Sequence, residues 1–466
     1  MEFEKRKILD CIHGFIEIDY YANLIIDTKY FDRTRDIQQT GVAKIVYPSA
    51  EHSRKPHLLG TYGLAVRTLN KLKMNQSILN IDKKDIICVG IAALCHDIGH
   101  GPCSHTYDGP FMNIVNPNSN FKHERASIEI VKMIFRDYPH IKEEFDKIFN
   151  ENDYTFIYEC IDPPGTLVRD GEWIPKGRGI DKSFLYDIVS NIHTGIDVDK
   201  FDYFLRDTFV TNIKSSPFNT DTLDRIIDYT RVVYDPILGY KRIGYANKIM
   251  KCIASVFETR KFLFEILYMH KTCMSYEHLL VKAWVHADKY LKFKGKNGEN
   301  LKLSTLYKDW DTYYKVTDSV VHTFIEFSTE KELKKSRDIY EKLHNRHIPK
   351  IVYHLKGNNL ENFKEESIHK WIKEDCQGEI DDDDLVVKIR KIHSGKGINV
   401  NPMENILFYD HKKIKNAIPD GYTDIRKVEK RGGYIDAYVY ADYDTDYEKK
   451  IRIIESSKHF EKAFLL

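Results

Sequence analysis

The sequence predicts a mainly α-helical protein with a smaller mixed α/β lobe towards its C-terminal end. Three observations predict this. First, Leu58, Tyr62, Ala65, Val66, Leu69 and Leu72 recur at three- and four-residue steps, the spacing of one helix face. Second, the apolar run 86–94 has helix length, is too short to cross a membrane, and leads straight into His96-Asp97. Third, a charged helical stretch at 328–350 gives way to strand-like runs at 406–409 and 434–440, rich in aromatic and β-branched residues. The expected division is a helical core over 1–330 and a lobe over 331–466.

Residues 1–56 mix short strand-like and helical pieces, with a charged helical stretch at 31–39 that suits a solvated face. The first clear helix starts at His57, with Arg54 one turn before it. The helix over 86–94 ends in His96-Asp97, because Gly99, Gly101 and Pro102 stop it and turn the chain. His100 and His105 ride on that turn, and Asp108 follows. After an Asn- and Pro-rich loop at 113–120, His123-Glu124 opens an amphipathic helix, where the Glu complements the N-terminal dipole. Residues 160–182 read as a surface loop. On a helix, Asp199, Tyr203 and Asp207 share one face, while Phe201, Phe204 and Leu205 bury. Residues 248–295 read as long helices carrying Arg260, Tyr268, His270 and Lys271. Asp381 to Asp384 read as a solvated acidic loop.

The chain has 466 residues, 42% apolar and 30% charged, with a formal net charge of +1. That balance leaves no global basic field for nonspecific nucleic-acid binding. The eight cysteines are scattered and form no Cys-x-x-Cys pair, so neither a zinc ribbon nor a disulfide framework is expected. No membrane span or secretory signal is read, and an intracellular compartment, cytoplasmic or nuclear, is expected.

A lone His-Asp pair at a helix end usually marks two satisfied polar residues. Here more residues join it. His57, His96, Asp97 and Asp199 offer two imidazoles and two carboxylates, a mixed set that suits one iron, manganese, zinc or nickel ion with positions left open. An open position is what hydrolytic metal chemistry needs. The histidines at 100, 105 and 123 then have uses: protonating a leaving oxygen, or neutralising phosphate charge. Arg54 and Lys200 add fixed positive charge for a polyphosphate.

The order His, His-Asp, Asp resembles the HD-domain metal phosphohydrolases. The chain is more closely similar to the SAM-and-HD-domain family of deoxynucleoside triphosphate triphosphohydrolases. The stretches 96–105, 182–191 and 195–207 carry that resemblance, with weaker matches at 26–39 and 258–271. It covers residues 8–295 well, and the family's N-terminal SAM domain is expected to be missing. The resemblance implies hydrolysis of dNTPs to deoxynucleoside and triphosphate. It implies metal ligands at His57, His96, Asp97 and Asp199, and Mg²⁺ on the nucleotide phosphates. His105, paired with Asp108, matches the group that protonates the leaving 5′ oxygen, and His100 and His123 match histidines along the phosphates. Arg54, Lys200, Tyr203 and Arg260 match phosphate contacts. Gln39 and Asp207 match readers of the 3′-hydroxyl, and Tyr268 matches the aromatic that crowds the 2′ position.

The same resemblance implies activation by GTP or dGTP and by dNTPs bound between subunits of a dimer or tetramer, with the C-terminal lobe serving assembly and regulation. Asp27 and Arg35 match guanine readers, but Asp32 stands where the family has glutamine. Val46, Tyr47, Arg231, Lys248, His270 and Lys271 fall at second-activator positions, but Ala246 replaces an arginine and Leu9 an asparagine. Thr40 replaces an apolar residue by the sugar, and Phe264 a histidine by the phosphates. Catalysis is thus better matched than activation. Two other readings stand beside it: an HD nuclease or nucleotidase, and a noncatalytic binder of nucleotides or single-stranded nucleic acid. The cations Arg54, Lys200 and Arg260 favour a polyphosphate over a monophosphate, and the complete four-ligand set favours catalysis over mere binding.

Overall fold

The computed structural model describes residues 6–395, 397–412, 417–423 and 433–466. Its centre is the helix Lys83–Cys95, whose last turns are wholly buried at Ala92, Ala93, Leu94 and Cys95. A reciprocal capping box between Asp82 and Asp85 starts it. On one side it packs against the long helix Arg54–Asn75, and on another against Glu151–Ile161. The long helix begins three residues before the expected His57, so His57 sits in its first turn rather than at its start.

After Cys95 the chain turns tightly and lies against the helix His123–Asp137. Gly99 makes this approach feasible, since a Cβ there would stand 2.1 Å from the backbone nitrogen of Ser127. The Ser127 hydroxyl accepts from the Gly99 amide at 2.9 Å and donates to the His96 carbonyl at 2.6 Å. Two hydrogen bonds therefore hold the His96–His105 turn beside His123.

The helix Val198–Val210 crosses the long helix and is capped by Asp197, which accepts from the Lys200 amide. The expected run of long helices over 248–295 is broken. Met250–Leu263 ends in a π-helical turn, Phe264–Tyr268, before Lys271–Ala287 begins. One extra residue per turn rotates the face that follows, which re-aims Tyr268.

Strands are short and peripheral. An N-terminal hairpin pairs Arg6–Asp10 with Gly14–Ile18. Thr230–Asp235 pairs antiparallel with Tyr240–Ala246, and Leu407–Tyr409 adds to that strand in parallel. A second sheet orders Leu385–Ile392, Tyr434–Ala441 and Lys350–Lys356, all antiparallel. The helices Glu365–Asp375 and Tyr447–Phe464 pack with it around a separate core that includes Leu355, Ile368, Val387, Val439 and Phe460. The helix Lys334–His344 instead packs on Lys271–Ala287, where the Trp284 indole donates to the Tyr340 hydroxyl at 3.0 Å. The second core thus begins at Leu355, while 406–409 returns to the first.

Two expected loops gain detail. The stretch 160–182 holds a two-residue hairpin, Val168–Arg169 with Glu172–Trp173. The acidic run is exposed at Asp381, Asp382 and Asp383, as expected of a solvated loop, and makes surface pairs: Asp382 with Lys373 at 2.5 Å, Asp383 with Lys282 at 2.7 Å and the less exposed Asp384 with Lys449 at 2.7 Å. Those lysines come from three helices, so the run joins them. Among the described residues no helix is long and apolar enough to cross a membrane.

Candidate active site

Three helices bring four donors together. His57 comes from the first turn of Arg54–Asn75, His96 and Asp97 from the end of Lys83–Cys95, and Asp199 from the first turn of Val198–Val210. Their ligand atoms lie within 4.8 Å of one another. Asp199 Oδ1 stands 3.1 Å from His57 Nε2 and 3.4 Å from His96 Nε2. Asp97 Oδ2 stands 3.7 and 3.6 Å from the same two nitrogens.

The far side of each ring fixes its proton. His96 Nδ1 lies 2.9 Å from the Ala93 carbonyl, which only accepts, so the proton is on Nδ1. His57 Nδ1 donates in the same way to Asp202 Oδ2 at 2.7 Å. Both Nε2 lone pairs then face two carboxylates, and His57 Nε2, buried, makes no hydrogen bond. Converging lone pairs and anionic oxygens repel unless a cation lies among them. The donor set therefore suits a divalent metal of the N/O-binding kind. With no cation among them, burial opposes a second proton on His57, but Asp199 and Asp202 favour it and push the pKa up to about 10, so a metal binding there would take that proton's place. Burial likewise opposes ionisation of Asp199, yet His57 and His96 hold it well below the usual carboxylate range.

A second group, His100, His105, Asp108 and His123, lies beside the first. His123 Nδ1 donates to Asp108 Oδ2 at 2.6 Å, and His105 Nδ1 lies 3.4 Å from Asp108 Oδ1. The His100 and His123 rings stack 3.9 Å apart at 16°. Rings stacked in this way present their ring nitrogens side by side, and an extended anion can be met there through N–H groups. Burial, Arg54 and His123 hold the His100 pKa well below its usual value, so that ring is neutral. Burial acts the same way on His123, but Asp108 and Asp97 outweigh it and raise its pKa. The His105 side chain is 73% exposed, free to meet a ligand.

A cavity of about 740 Å³ opens over Asp97 and Asp199. His100, His105 and His123 line it, as do Arg54, Lys200, Tyr203 and Arg260. Arg54 pairs with Asp97 and donates to the Ser104 hydroxyl at 2.9 Å. Lys200 reaches Asp197 at 3.1 Å. The Arg260 guanidinium lies 4.1 Å over the Phe264 ring, and its Nε is buried without a partner. Burial pushes the Tyr203 phenol up to about 12 against the pull of Lys200 and Arg260. At the other end the Tyr268 hydroxyl donates to Asp207 Oδ2 at 2.6 Å. Gln39 and Thr40 complete that end, and Gln39 Oε1 is buried without a partner.

Sequence reasoning passed over several residues here. Asp202 orients His57; its one signal was a charged residue inside the apolar Phe201–Leu205 run. His52 Nε2 donates to Asp207 Oδ1 at 2.7 Å, two residues before Arg54, with nothing in the pattern to mark it. Thr106 donates to Glu277 Oε1 at 2.7 Å in the cavity wall, and Ser394 and Gly395 reach the same cavity from the C-terminal part.

The nine activator-matched residues lie outside this cavity. Asp27 pairs with Arg6 at 2.7 Å, and Asp32 with both Arg35 and Lys55. The Tyr47 hydroxyl donates to the Ile266 carbonyl at 2.9 Å, near half-buried Val46. Arg231 donates to the Thr230 carbonyl, and Lys248 lies 3.5 Å over the Tyr229 ring. His270 caps the helix that starts at Lys271. Leu9 is exposed, whereas Ala246 is fully buried.

The HD domain family model matches residues 54–170, the stretch that supplies His57, His96 and Asp97. The deoxynucleoside triphosphate triphosphohydrolase SAMHD1 of Bos taurus is 32% identical over 437 residues, covering 89% of this chain and 73% of that protein. SAMHD1 of Gallus gallus is 35% identical, covering 88% of this chain and 67% of its own. The chain belongs to the SAMHD1 family. It is accordingly a hydrolase with an HD domain. SAMHD1 of Homo sapiens is 33% identical over 422 residues, 88% of this chain and 66% of that protein.

Proposed function

We propose that this protein hydrolyses dNTPs to deoxynucleoside and triphosphate. The observation that carries the reading is the polarity of the cavity. Its wall carries Asp97 and Asp199 of the donor set, the cations Arg54, Lys200 and Arg260, and the paired Tyr268 and Asp207. A polyphosphate fits the cationic end and a sugar the other.

A divalent ion held by His57, His96, Asp97 and Asp199 would supply Lewis acidity against the phosphoryl oxygens. Arg54, Lys200 and Arg260 bind the triphosphate, whose charge Mg²⁺ would help to neutralise, and His100 and His123 line the chain of phosphates. Water adds to the α-phosphorus as the bond from phosphorus to O5′ breaks, and the proton it loses passes to bulk solvent, from which His105 is reprotonated after each turnover. His105, beside Asp108, gives its proton to O5′, so the deoxynucleoside leaves as an alcohol. Gln39 and Asp207 hold the 3′-hydroxyl. Tyr268, fixed by Asp207, leaves no space for a 2′-hydroxyl and so rejects ribonucleotides.

Activation by GTP or dGTP and by dNTPs, with assembly from dimer to tetramer, forms part of the same proposal. It rests on the resemblance at Asp27, Arg35, Val46, Tyr47, Arg231, Lys248, His270 and Lys271. Eight free thiols fit an intracellular setting.

Ion-exchange analysis of products tests the reading. Each dNTP is incubated with the protein and Mg²⁺ or Mn²⁺, with and without GTP. Deoxynucleoside and intact triphosphate are expected, and are absent with Asp199→Ala. Release of monophosphate would mark a nucleotidase instead. No turnover with metal bound would mark a noncatalytic binder.

A further inference from the structure

The carboxylate of Asp202 is buried and takes four hydrogen bonds, two on each oxygen. Oδ2 accepts from His57 Nδ1 at 2.7 Å and from Arg206 Nε at 2.9 Å. Oδ1 accepts from Arg206 Nη2 at 2.8 Å and from His13 Nε2 at 2.7 Å. His13 comes from neither helix. It lies in the turn of the N-terminal hairpin, between Arg6–Asp10 and Gly14–Ile18.

That turn is itself locked. Asp10 Oδ1 accepts from the amides of Ile12 and His13 at 2.8 and 3.0 Å, and Asp10 Oδ2 accepts from Arg206 Nη1 at 2.9 Å. One carboxylate thus shapes the turn and holds the guanidinium that grips Asp202. Gly14 follows with φ +67°, a left-handed conformation that lets the second strand start at once.

The His57 helix is pared down to receive this contact. A Cβ on Gly60 would stand 1.9 Å from Asp202 Oδ1, so only glycine lets the carboxylate in. One turn later a Cβ on Gly63 would stand 3.1 Å from Ile16 of the hairpin. Glycine inside a helix costs about 1 kcal/mol relative to alanine. Two of them on the face that runs on from His57 are explained by the close approach of Asp202 and the hairpin.

We propose that the hairpin turn forms the outer layer of the metal site, with His13 as a positioning residue that holds Asp202 and, through it, the ligand His57. The inference rests on the reading of His57, His96, Asp97 and Asp199 as a divalent-ion site. Without His13, Asp202 Oδ1 keeps one donor in place of two, and Arg206 alone is left to hold the carboxylate against His57. Groups behind a metal-bound histidine typically contribute about 10–100-fold to metal affinity.

The test is competition for Mn²⁺ against a chromophoric chelator, using the full chain. Wild type, His57→Ala, His13→Leu and His13→Gln are compared. His13→Leu, one contact further out than Asp202, is expected to weaken Mn²⁺ binding by about tenfold, the low end of that range. His13→Gln keeps an N–H donor and is expected to bind within about threefold of wild type. Equal affinity for wild type and folded His13→Leu would overturn the proposal and leave the metal reading intact. Failure of wild type to bind, or His57→Ala binding as tightly, would overturn the metal reading itself. Hydrogen exchange on wild type needs no variant: Mn²⁺ should slow exchange at the Ile12 and His13 amides, because coupling through Asp202 is reciprocal. Unchanged exchange there would overturn the proposal, and it decides alone if His13→Leu does not fold.

Discussion

The two histidine clusters touch, yet they are built for different work. In the His57, His96, Asp97, Asp199 group each imidazole is pinned from behind, by Asp202 or the Ala93 carbonyl, and its other nitrogen faces inward. In the His100, His105, Asp108, His123 group the imidazoles stack and share a carboxylate, and His105 is largely exposed. Pinned, converging lone pairs suit a resident cation. Stacked rings with one free to the solvent suit an anionic ligand and a mobile proton. Residue type alone would not separate them, since both are histidine and aspartate. What separates them is which nitrogen is already engaged.

Breaking one cluster should leave the other standing. Asp199→Ala should give the largest effect: metal content falls to background and kcat drops on the order of a thousandfold or more, both read on one preparation. His105→Ala should keep its metal and lose about 10²–10⁴-fold in kcat, the range for a general acid. Loss of metal in that variant would merge the two clusters into one. His52→Ala should leave both clusters untouched. It removes one of the two donors to Asp207, and KM for dNTP should rise about tenfold with metal content unchanged.

The smallest effect sharpens the comparison from outside. Asp187 is more deeply buried than Asp97 or Asp199, and among the described residues its Oδ1 has no partner. Burial pushes its pKa up to about 6 against Arg242 and the Ile243 amide. Between its unfolded value of 3.8 and about 6, the folded protein binds more protons than the unfolded chain. Stability contributed by this group is therefore full below pH 4 and lost as pH rises to 6. The loss is at most about 3 kcal/mol, from roughly two pKa units. Asp187→Asn should flatten that part of the Tm-against-pH curve. An unchanged slope would show that the carboxylate is paired after all.

Much of the site was legible because its donors sit on local patterns. A buried helix ending in His96-Asp97, and Asp199, Tyr203 and Asp207 spaced on one helix face, are visible within a dozen residues. Asp202 and His52 were not, because their partners His57 and Asp207 lie 145 and 155 residues away. The break before Tyr268 was also hidden: residues 264–268 read as ordinary helix, and only packing inserts the π-turn.

By itself the sequence determined the helical class, the HD turn, and the residue types able to hold a cation and a polyphosphate. These follow from periodicity and from side-chain chemistry, both local properties. Only the tertiary structure decided which nitrogen of each histidine faces inward, which carboxylate stands behind His57, and which end of the cavity meets Tyr268. Those depend on contacts between distant segments, and a hydrogen bond acts over about 3 Å in space, whatever the separation along the chain.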